Sequence, residues 1–526
     1  MTSATATIQT RVVPDTYCDS LRLLVATGAM SQTAGISWAG AVMGTAAGQE
    51  QLAQAGVTLD VDVRANDLVL AVVADDPDRA TAAIEAGARA AFEGREAAAA
   101  DGGGAAVAPR TTAAAADRLG GAEVAVVSVP GPYAALEAHH ALTRGLHVLL
   151  FSDNVPVEEE RELKERAGDL GLLVMGPGAG TAVVGGLGLG FANAVRRGPV
   201  GVVAAAGTGA QEVSALLSRW GVGVSQVIGV GGRDLSAAVG GVMATSAVRA
   251  LAADPETRAV LLVSKPPDLQ VARQVLASCG EMPVVATFLG LDEAALLGLD
   301  QHTGAGRTQV ARTLEEGAAK AAALVGSDPG TAVRTSVTDE LRERVRRAGR
   351  SLPASRETVR GYFSGGTLCY EAQLILAEAA GAVYSNEPLH HDRGLPAPPR
   401  SHVLLDLGAE EYTQGRPHPM IGPRARVDLI QSQARDPEVA VVLLDVVLGY
   451  GAHLDPAGEL ADACAEVMAE DGPVVVAYVL GTDEDPQHYS EQRARLEAVG
   501  CLVPETAASA ARAAAAIALR RPELVG

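Results

Sequence analysis

The sequence predicts an α/β fold built from repeated, doubly wound units. The chain has 526 residues, which is enough for three or four domains with full hydrophobic cores. Short apolar runs alternate with helical segments, a pattern typical of parallel sheets that helices cover on both faces. A strand, a glycine turn and a helix start occur in that order twice, at Val202–Glu212 and at Tyr362–Glu371. These observations predict two similar α/β domains within one chain.

Composition and charge limit the class of protein further. The net charge of −21 argues against binding of a nucleic-acid backbone or an anionic membrane surface. The five cysteines are scattered without a CxxC motif, which indicates a reducing compartment and no disulfides. Met1–Val12 lacks the features of a signal peptide, and no apolar run is long and uninterrupted enough to span a membrane. The sequence therefore predicts a cytoplasmic location.

Residues 8–95 are predicted to form a small α+β domain of ferredoxin-like type. Strands near Arg11–Val13, Gly35–Met43 and Asp67–Ala74 alternate with helical segments. The last helix, Pro77–Phe92, follows two aspartates, which supply an N-cap before a proline in the first turn. Residues 96–116 are rich in alanine and glycine and are predicted to be a flexible linker.

The remainder of the chain is predicted to contain three α/β domains. In residues 117–198, short strands such as Val124–Val129 alternate with helices such as Ala134–Arg144, which predicts a parallel sheet. Residues 199–326 and 357–520 are the two repeated domains, and a linker at 327–356 contains a charged helix.

The two glycine turns are the strongest candidates for a functional site. The first turn of a helix has free backbone N–H groups and the positive end of the helix dipole, and both favour an anion. We therefore predict phosphate or substrate binding by both turns, at Gly207, Thr208, Gly209, Gly365, Gly366 and Thr367. Glu212 and Glu371 lie four residues after Thr208 and Thr367, where each is a candidate catalytic group that orients a polar atom. The alternative for the glycine turns is that they are ordinary strand-to-helix turns. The alternative for the two glutamates is that they are present only because glutamate favours helix formation.

Other loops carry further candidates. Gly232, Arg233 and Asp234 follow the strand Gln226–Ile228, and strand carboxyl ends are where open α/β sheets bind ligands. His418, fixed between two prolines, is a candidate general acid or base, and Arg416 beside it is a candidate clamp for an anion. The alternative for Gly232, Arg233 and Asp234 is a structural turn. The alternative for Arg416 and His418 is a rigid loop that packs on a partner subunit. The spacing around His390-His391-Asp392 implies no third ligand, so no metal site is predicted.

Several of these segments resemble known families. Val127–Tyr133, Met175–Pro177 and Gly201–Glu212 resemble the α subunit of succinyl-CoA synthetase, and residues 357–520 resemble the C-terminal domain of its β subunit. A closer resemblance, covering nearly the whole chain, is to the FdrA family. Its motifs are Leu150–Val155, Gly229–Ser236, Val263–Pro267, Gly415–Ile421 and Leu443–Gly449. The resemblance implies a truncated Rossmann-like domain at 117–198 and two flavodoxin-like domains after it.

The FdrA resemblance also implies a function. That family is associated with allantoin degradation and with carbamoyl transfer from oxalurate to phosphate, which gives oxamate and carbamoyl phosphate. This main hypothesis requires no cofactor. Succinyl-CoA synthetases have an ATP-grasp domain, a CoA phosphate loop and a phosphohistidine loop. This chain has no segment for the first two, and it matches the third only in part, at His302. These differences from succinyl-CoA synthetase favour the carbamoyl transfer reaction. The carbamoyl transfer hypothesis implies small anionic substrates, other subunits of an FdrA-type complex and an oligomer.

Two alternatives stay open at the sequence level. One is an acyl-CoA synthetase that uses CoA and ATP with a separate ATP-binding subunit, in which His302 would be phosphorylated. The other is a scaffold subunit without catalysis. All enzymatic readings predict that the helices starting at the two glycine turns converge on one cleft. The Gly415–Ile421 segment is predicted to lie over the same cleft.

Overall fold

The computed structural model describes residues 7–18, 20–59, 61–92, 109–291, 295, 298, 308–327, 338–413, 417–433, 436–469 and 471–525. The chain divides into two compact units. The first consists of residues 1–111 and 410–422, and the second consists of residues 112–409 and 423–526.

The first unit contains a three-stranded antiparallel sheet with the order β1-β3-β2. Its strands are β1 (Thr7–Val13), β2 (Ile36–Met43) and β3 (Leu68–Ala74). Its helices are α1 (Ser20–Ser31), α2 (Ala46–Gln54) and α3 (Pro77–Phe92). Buried side chains of α1 and α3 form a core with one face of the sheet. The predicted small α+β domain is confirmed, and α3 begins at the predicted proline.

The second unit begins with a small parallel sheet. Helix α4 (Thr112–Leu119) starts inside the predicted linker 96–116, whose residues 96–108 lie outside the described part of the chain. The sheet has the order β4-β5-β6. Its elements are β4 (Val124–Val127), α5 (Gly131–Thr143), β5 (His147–Leu150), α6 (Val157–Asp169) and β6 (Val174–Met175).

A seven-stranded sheet follows, with the order β13-β12-β11-β9-β10-β7-β8. Its strands are β7 (Thr181–Val184), β8 (Leu187–Gly190), β9 (Arg197–Ala205), β10 (Val224–Gly229), β11 (Ala259–Ser264), β12 (Val284–Phe288) and β13 (Thr308–Ala311). Its helices are α7 (Gly207–Arg219), α8 (Val242–Ala253), α9 (Leu269–Ser278) and α10 (Leu314–Leu324). The antiparallel hairpin β7-β8 extends this sheet, although the sequence analysis assigned residues 181–190 to the preceding domain.

The second copy has a five-stranded parallel sheet, with the order β15-β16-β14-β17-β18. Helix α11 (Asp339–Ser351) precedes it. Its strands are β14 (Thr358–Phe363), β15 (Val383–Tyr384), β16 (His402–Asp406), β17 (Val439–Val447) and β18 (Val474–Leu480). Its helices are α12 (Gly366–Ala380), α13 (Arg424–Ser432), α14 (Pro456–Met468), α15 (Tyr489–Ala498) and α16 (Ala507–Ala518).

The two copies share the same central order, in which the strand before the glycine turn lies next to the strand of the long apolar run. In the first copy these strands are β9 and β11, and in the second they are β14 and β17. Both apolar runs are fully buried, as expected for the middle of a parallel sheet. The predicted α/β architecture is therefore confirmed. None of the described helices is long and apolar enough to cross a membrane.

Candidate active site

The two glycine turns of the repeated domains meet. The backbone N–H of Thr367, in the first turn of α12, donates to Oγ1 of Thr208, in the first turn of α7, over 3.2 Å. A methyl group added at Gly365 would lie 2.8 Å from Thr208 Cγ2, and one added at Gly209 would lie 3.0 Å from Thr367 Cγ2. Glycine therefore allows the two turns to approach this closely. The predicted convergence of the two helix starts is confirmed.

The start of α12 is occupied by carboxylates of the chain itself. Asp445, which is fully buried on β17, accepts hydrogen bonds from the N–H groups of Ser364 and Gly365, both at 2.7 Å. Arg426, also buried, donates to Asp445 Oδ1 over 3.0 Å and balances its charge. A methyl group on Gly366 would lie 2.4 Å from Oδ2 of Asp406. These groups already face the positive end of α12, where the sequence analysis predicted phosphate at Gly365, Gly366 and Thr367.

The start of α7, in contrast, is open. The N–H groups of Gly207, Thr208 and Gly209 donate to no acceptor in the described part of the chain. Gly207 is exposed, and a methyl group added to it would meet no atom within 4 Å. The positive end of the α7 dipole is therefore exposed at Gly207, whereas Thr208 and Gly209 behind it are buried. Anion binding at either helix start stays a prediction, and the start of α7 is the one without a carboxylate of the chain bound to it.

Lys265 lies beside this opening. It directly follows β11, in which Ser264 pairs with Ala205 at the end of β9, immediately before the turn into α7. Its Nζ lies 5.3 Å from the ring centroid of Tyr370 on α12, a cation–π contact. The sequence analysis used Lys265 only as part of a family motif and did not identify it as a candidate site residue. The available signal was a lysine at the carboxyl end of a central parallel strand.

The two candidate catalytic glutamates bind helix starts rather than the opening. Glu212 Oε1, on α7 of the first copy, accepts from the N–H of Ala507, which begins α16 of the second copy, over 3.3 Å. Glu371 Oε1, on α12 of the second copy, accepts from the N–H of Leu314, which begins α10 of the first copy, over 2.7 Å. Each copy therefore caps the last helix of the other. A catalytic role for either glutamate stays a prediction.

Both glutamates are buried, and their acidity is correspondingly weak. Burial raises the pKa of Glu212 to about 7, although the hydroxyl of Tyr478, which donates to Oε2 over 2.5 Å, acts in the opposite direction. Burial also raises the pKa of Glu371 to about 8, and the negative charges of Glu212 and Glu315 add to this increase. Oε2 of Glu371 has no hydrogen-bond partner. Glu371 is therefore mostly protonated at neutral pH.

Arg233 and Asp234 belong to an internal ionic network. Asp234 is fully buried and accepts from Lys164 Nζ over 2.8 Å and from the N–H of Ala244, in the first turn of α8, over 2.9 Å. Arg233 donates to Glu160 over 2.8 Å, and Lys164 donates to the same carboxylate over 2.7 Å. These partners lie on α6, so the network joins the small parallel sheet to the seven-stranded sheet. Arg233 and Asp234, which were predicted to bind substrate, thus have partners within the chain, and Gly232 next to them is exposed. A role of these residues in substrate binding stays a prediction.

The remaining candidates lie elsewhere. His418 is half-buried in the first unit, and its Nδ1 accepts from the N–H of Met420 over 3.3 Å. Arg416 and His302 lie outside the described residues. The roles of these three residues, and the position of Gly415–Ile421 over the cleft, stay predictions. The described residues contain no group of three or more His, Cys, Asp or Glu side chains arranged to hold a metal ion.

Comparison with protein families matches two parts of the chain. Residues 362–517 match the CoA-ligase family, which covers most of the second copy. Residues 4–109 match a family described as the heavy metal-associated domain of AllF.

Individual relatives extend these matches. YahF of Escherichia coli (strain K12) is 42% identical over 391 residues, which cover 73% of this chain and 74% of YahF. The succinate–CoA ligase [ADP-forming] subunit alpha 2 of Archaeoglobus fulgidus is 29% identical over 180 residues, which cover 33% of this chain and 61% of that subunit. This chain therefore matches about three-fifths of the ligase subunit. A solved structure, the dinucleotide-forming acetyl-coenzyme A synthetase 1 of Ca. Korarchaeum cryptofilum with phosphate and ADP, aligns with 77% of this chain and 84% of its own, at 17% identity and a TM-score of 0.30.

Proposed function

The chain belongs to the FdrA family, and we propose that it carries the phosphate-binding site of an acid–CoA ligase-type reaction. ATP would bind to a separate subunit, and CoA would accept the acyl group. Membership of the CoA-ligase family over most of the second copy supports this class of reaction. So does the relationship to subunits of ADP-forming ligases.

The open start of α7 is the observation that carries this proposal. Reactions of this class pass through an acyl phosphate, whose phosphoryl oxygens are anionic. The free N–H groups of Gly207, Thr208 and Gly209 present the fixed donors that stabilise such oxygens without reorganisation. Lys265 adds a positive charge at the same edge of the sheet, because it follows the end of the neighbouring strand β11. Together these residues bind and orient the phosphoryl group while the carbonyl carbon reacts.

Gly207→Pro is a direct test of this site. Proline is well tolerated at the first position of a helix, where it removes one N–H group and little else. The preceding residue, Ala206, is extended with φ −158° and ψ 107°, a conformation compatible with a following proline. One lost hydrogen bond to a charged group should weaken binding of inorganic phosphate roughly 10-fold. The matched control is Gly207→Ala, which adds a methyl group to open space and keeps the N–H.

Isothermal titration calorimetry of the full chain with inorganic phosphate measures this effect. Equal affinities of the proline and alanine variants would contradict the proposed site. Incubation with labelled ATP and the partner subunits, followed by mapping of acid-labile phosphate, tests the ligase chemistry separately. Labelled phosphate on His302 is the expected result for a ligase. If the Gly207→Pro variant, assayed with the partner subunits, turns over as fast as the parent, a scaffold subunit is favoured.

A second candidate function is carbamoyl transfer between oxalurate and phosphate, and the asymmetry of the two helix starts favours it. Of the two helix starts, the start of α12 is bonded to Asp445, whereas the start of α7 is not bonded to a carboxylate of the chain. One available helix start suits a reaction with a single bound phosphate, such as carbamoyl transfer, better than a ligase reaction in which a phosphoryl group moves between two sites. In this reaction a phosphate oxygen attacks the carbamoyl carbon, the C–N bond to oxamate breaks, and the nitrogen takes up a proton. Phosphate-dependent cleavage of oxalurate by the chain with its partner subunits is the expected result. If oxalurate is not cleaved and His302 is labelled, carbamoyl transfer is excluded and the ligase reaction remains as the proposed function.

A further inference from the structure

The first unit has few side chains that could hold a heavy metal ion, although residues 4–109 match the heavy metal-associated domain family of AllF. Zinc and copper(I) ions are bound in proteins mainly by cysteine, histidine and methionine. Residues 4–109 contain one cysteine, Cys18, two methionines and no histidine, and the remaining segment of the first unit adds one histidine, His418. One cysteine and one histidine do not make a four-coordinate zinc site, and the described residues contain no cluster of three or more His, Cys, Asp or Glu that would complete it.

The sulfur-containing side chains of this segment belong to its hydrophobic interior. Cys18 is 3% exposed and Met30 is fully buried, both in the core that α1 and α3 form with the sheet. Met43 packs against the same core, and its Sδ accepts from the N–H of Cys18 over 3.4 Å. A metal ion at these sulfur atoms would have to enter an apolar environment with one thiolate as its only anionic ligand, which is unfavourable. The donor set of the segment therefore does not fit a heavy metal ion.

A carboxylate of the chain itself joins the loops at one end of this sheet. Asp67 directly precedes β3 and is 6% exposed. Its Oδ1 accepts from the N–H of Asp15, just after β1, over 2.7 Å, and its Oδ2 accepts from the N–H of Arg64 over 2.8 Å. Its backbone carbonyl accepts from the N–H of Gly44, just after β2, over 2.7 Å. The N–H groups of Asp15 and Arg64 hold the pKa of the Asp67 carboxyl below its ordinary value, as expected for an ionised acceptor.

We propose that residues 4–109 do not hold a heavy metal ion, and that the carboxylate of Asp67 fixes the loop after β1 to the start of β3 without one. The family match then describes the fold of this segment and not metal binding by it. The inference is independent of the proposed phosphate site, because it concerns residues of the first unit alone.

Metal titration of the full chain tests the first part of the proposal. The soft ion Cd²⁺ is the probe, because its coordination by a thiolate produces an ultraviolet charge-transfer band. The parent and Cys18→Ser should give the same difference spectrum with Cd²⁺, since Cys18 does not bind the ion. Binding of one equivalent of Cd²⁺ with a band that Cys18→Ser abolishes would overturn the proposal.

Unfolding of the first unit provides a second measurement that leaves its side chains unchanged. Trp38 lies on β2, and the other tryptophan of the chain, Trp220, is in the second unit. The fluorescence of Trp38 in a Trp220→Phe background therefore reports on the first unit. A domain that a metal ion holds together becomes less stable when a chelator removes the ion. The urea midpoint should be the same in excess Zn²⁺ and in EDTA, and a higher midpoint in Zn²⁺ would contradict the proposal.

Substitution of Asp67 tests the second part with the same fluorescence signal. Asp67→Ala removes both acceptor oxygens and should lower the urea midpoint by roughly 1 M, while Asp67→Asn keeps one acceptor and should lower it less. Asp62→Ala, at an exposed position of the same loop, is the matched control and should leave the midpoint unchanged. If both Asp67 variants unfold at the midpoint of the control, the role of Asp67 is wrong, and the metal measurements then decide the first part alone.

Discussion

Replacement of Glu371 by glutamine should make the protein more stable at alkaline pH and leave it almost unchanged in acid. Glu371 caps α10 through Oε1, and glutamine keeps that acceptor because its amide oxygen has the same position. The second oxygen, Oε2, is buried without a partner, and an amide nitrogen of similar size takes its place in glutamine. The substitution therefore keeps the shape of the group and removes its ability to ionise.

The magnitude follows from the pKa of this group. The pKa of Glu371 is about 8 in the folded protein, against an ordinary value of 4.5. Because the folded pKa is the higher one, the folded state retains the proton and stability falls as the pH rises from about 4.5 to about 8. At about 1.4 kcal/mol for each pH unit between these values, ionisation costs the folded state up to about 5 kcal/mol. Glu371→Gln avoids this cost above pH 8 and gains nothing at pH 5.

Urea unfolding at pH 5 and at pH 9 measures the difference. The chain has two tryptophans, and Trp220 directly follows α7, so its fluorescence in a Trp38→Phe background reports on the repeated domains. Glu378→Gln, at an exposed position of the same helix, is the matched control and should have the same stability as the parent at both pH values. An equal change in the free energy of unfolding at pH 5 and pH 9 for Glu371→Gln would refute the reasoning. So would a parent protein whose stability does not fall between these values.

Further substitutions test other parts of the structure. Lys164→Met should destabilise the protein by about 3–5 kcal/mol in urea unfolding, because it leaves the buried Asp234 without its cation and Glu160 with Arg233 alone. Gly231→Ala should reduce the yield of folded protein, since Gly231 has a φ of +87° and a methyl group would lie 2.7 Å from the backbone of Gly176. Asp445→Ala should lower the thermal midpoint, because it leaves two buried N–H groups at the start of α12 unpaired. The same excess of inorganic phosphate should raise the thermal midpoint of the parent more than that of Gly207→Pro, by a difference that grows with the logarithm of the ratio of the two affinities.

The sequence was a good guide to local structure because local signals determine it. The boundary of α3 follows from a proline and two aspartates that are adjacent in the chain. Both glycine turns were identified for the same reason, since each is contained in six residues. The hydrophobic runs Ala259–Val263 and Ala440–Leu444 likewise located β11 and β17, although β17 continues three residues further, to Val447.

The electrostatics of the site could not be predicted in this way. Asp445 stands inside an apolar run, and its partner Ser364 is 81 residues away. Lys164 appears in the sequence as one of many charges on an amphipathic helix, although it is fully buried against Asp234, 70 residues away. Partners at such separations leave no mark in the local pattern. The sequence predicted anion binding at both turns alike, and nothing near Gly366 in the sequence reveals that Asp445 and Asp406 fold back onto the start of α12.

The exchange of glutamate caps between the two copies has a consequence for how the chain folds. The last helix of each copy has an N-cap threonine of its own, Thr313 or Thr506, and in addition donates an N–H to a buried glutamate of the other copy. Separate expression of residues 112–327 and 338–525 should therefore give fragments that are each less stable than within the whole chain, and that recover stability when mixed. In the intact protein the two copies should unfold in a single transition, so that an intermediate with one copy folded does not accumulate. Because the two copies are part of one polypeptide, they are always made in equal amounts, and each copy is available to supply its glutamate to the other.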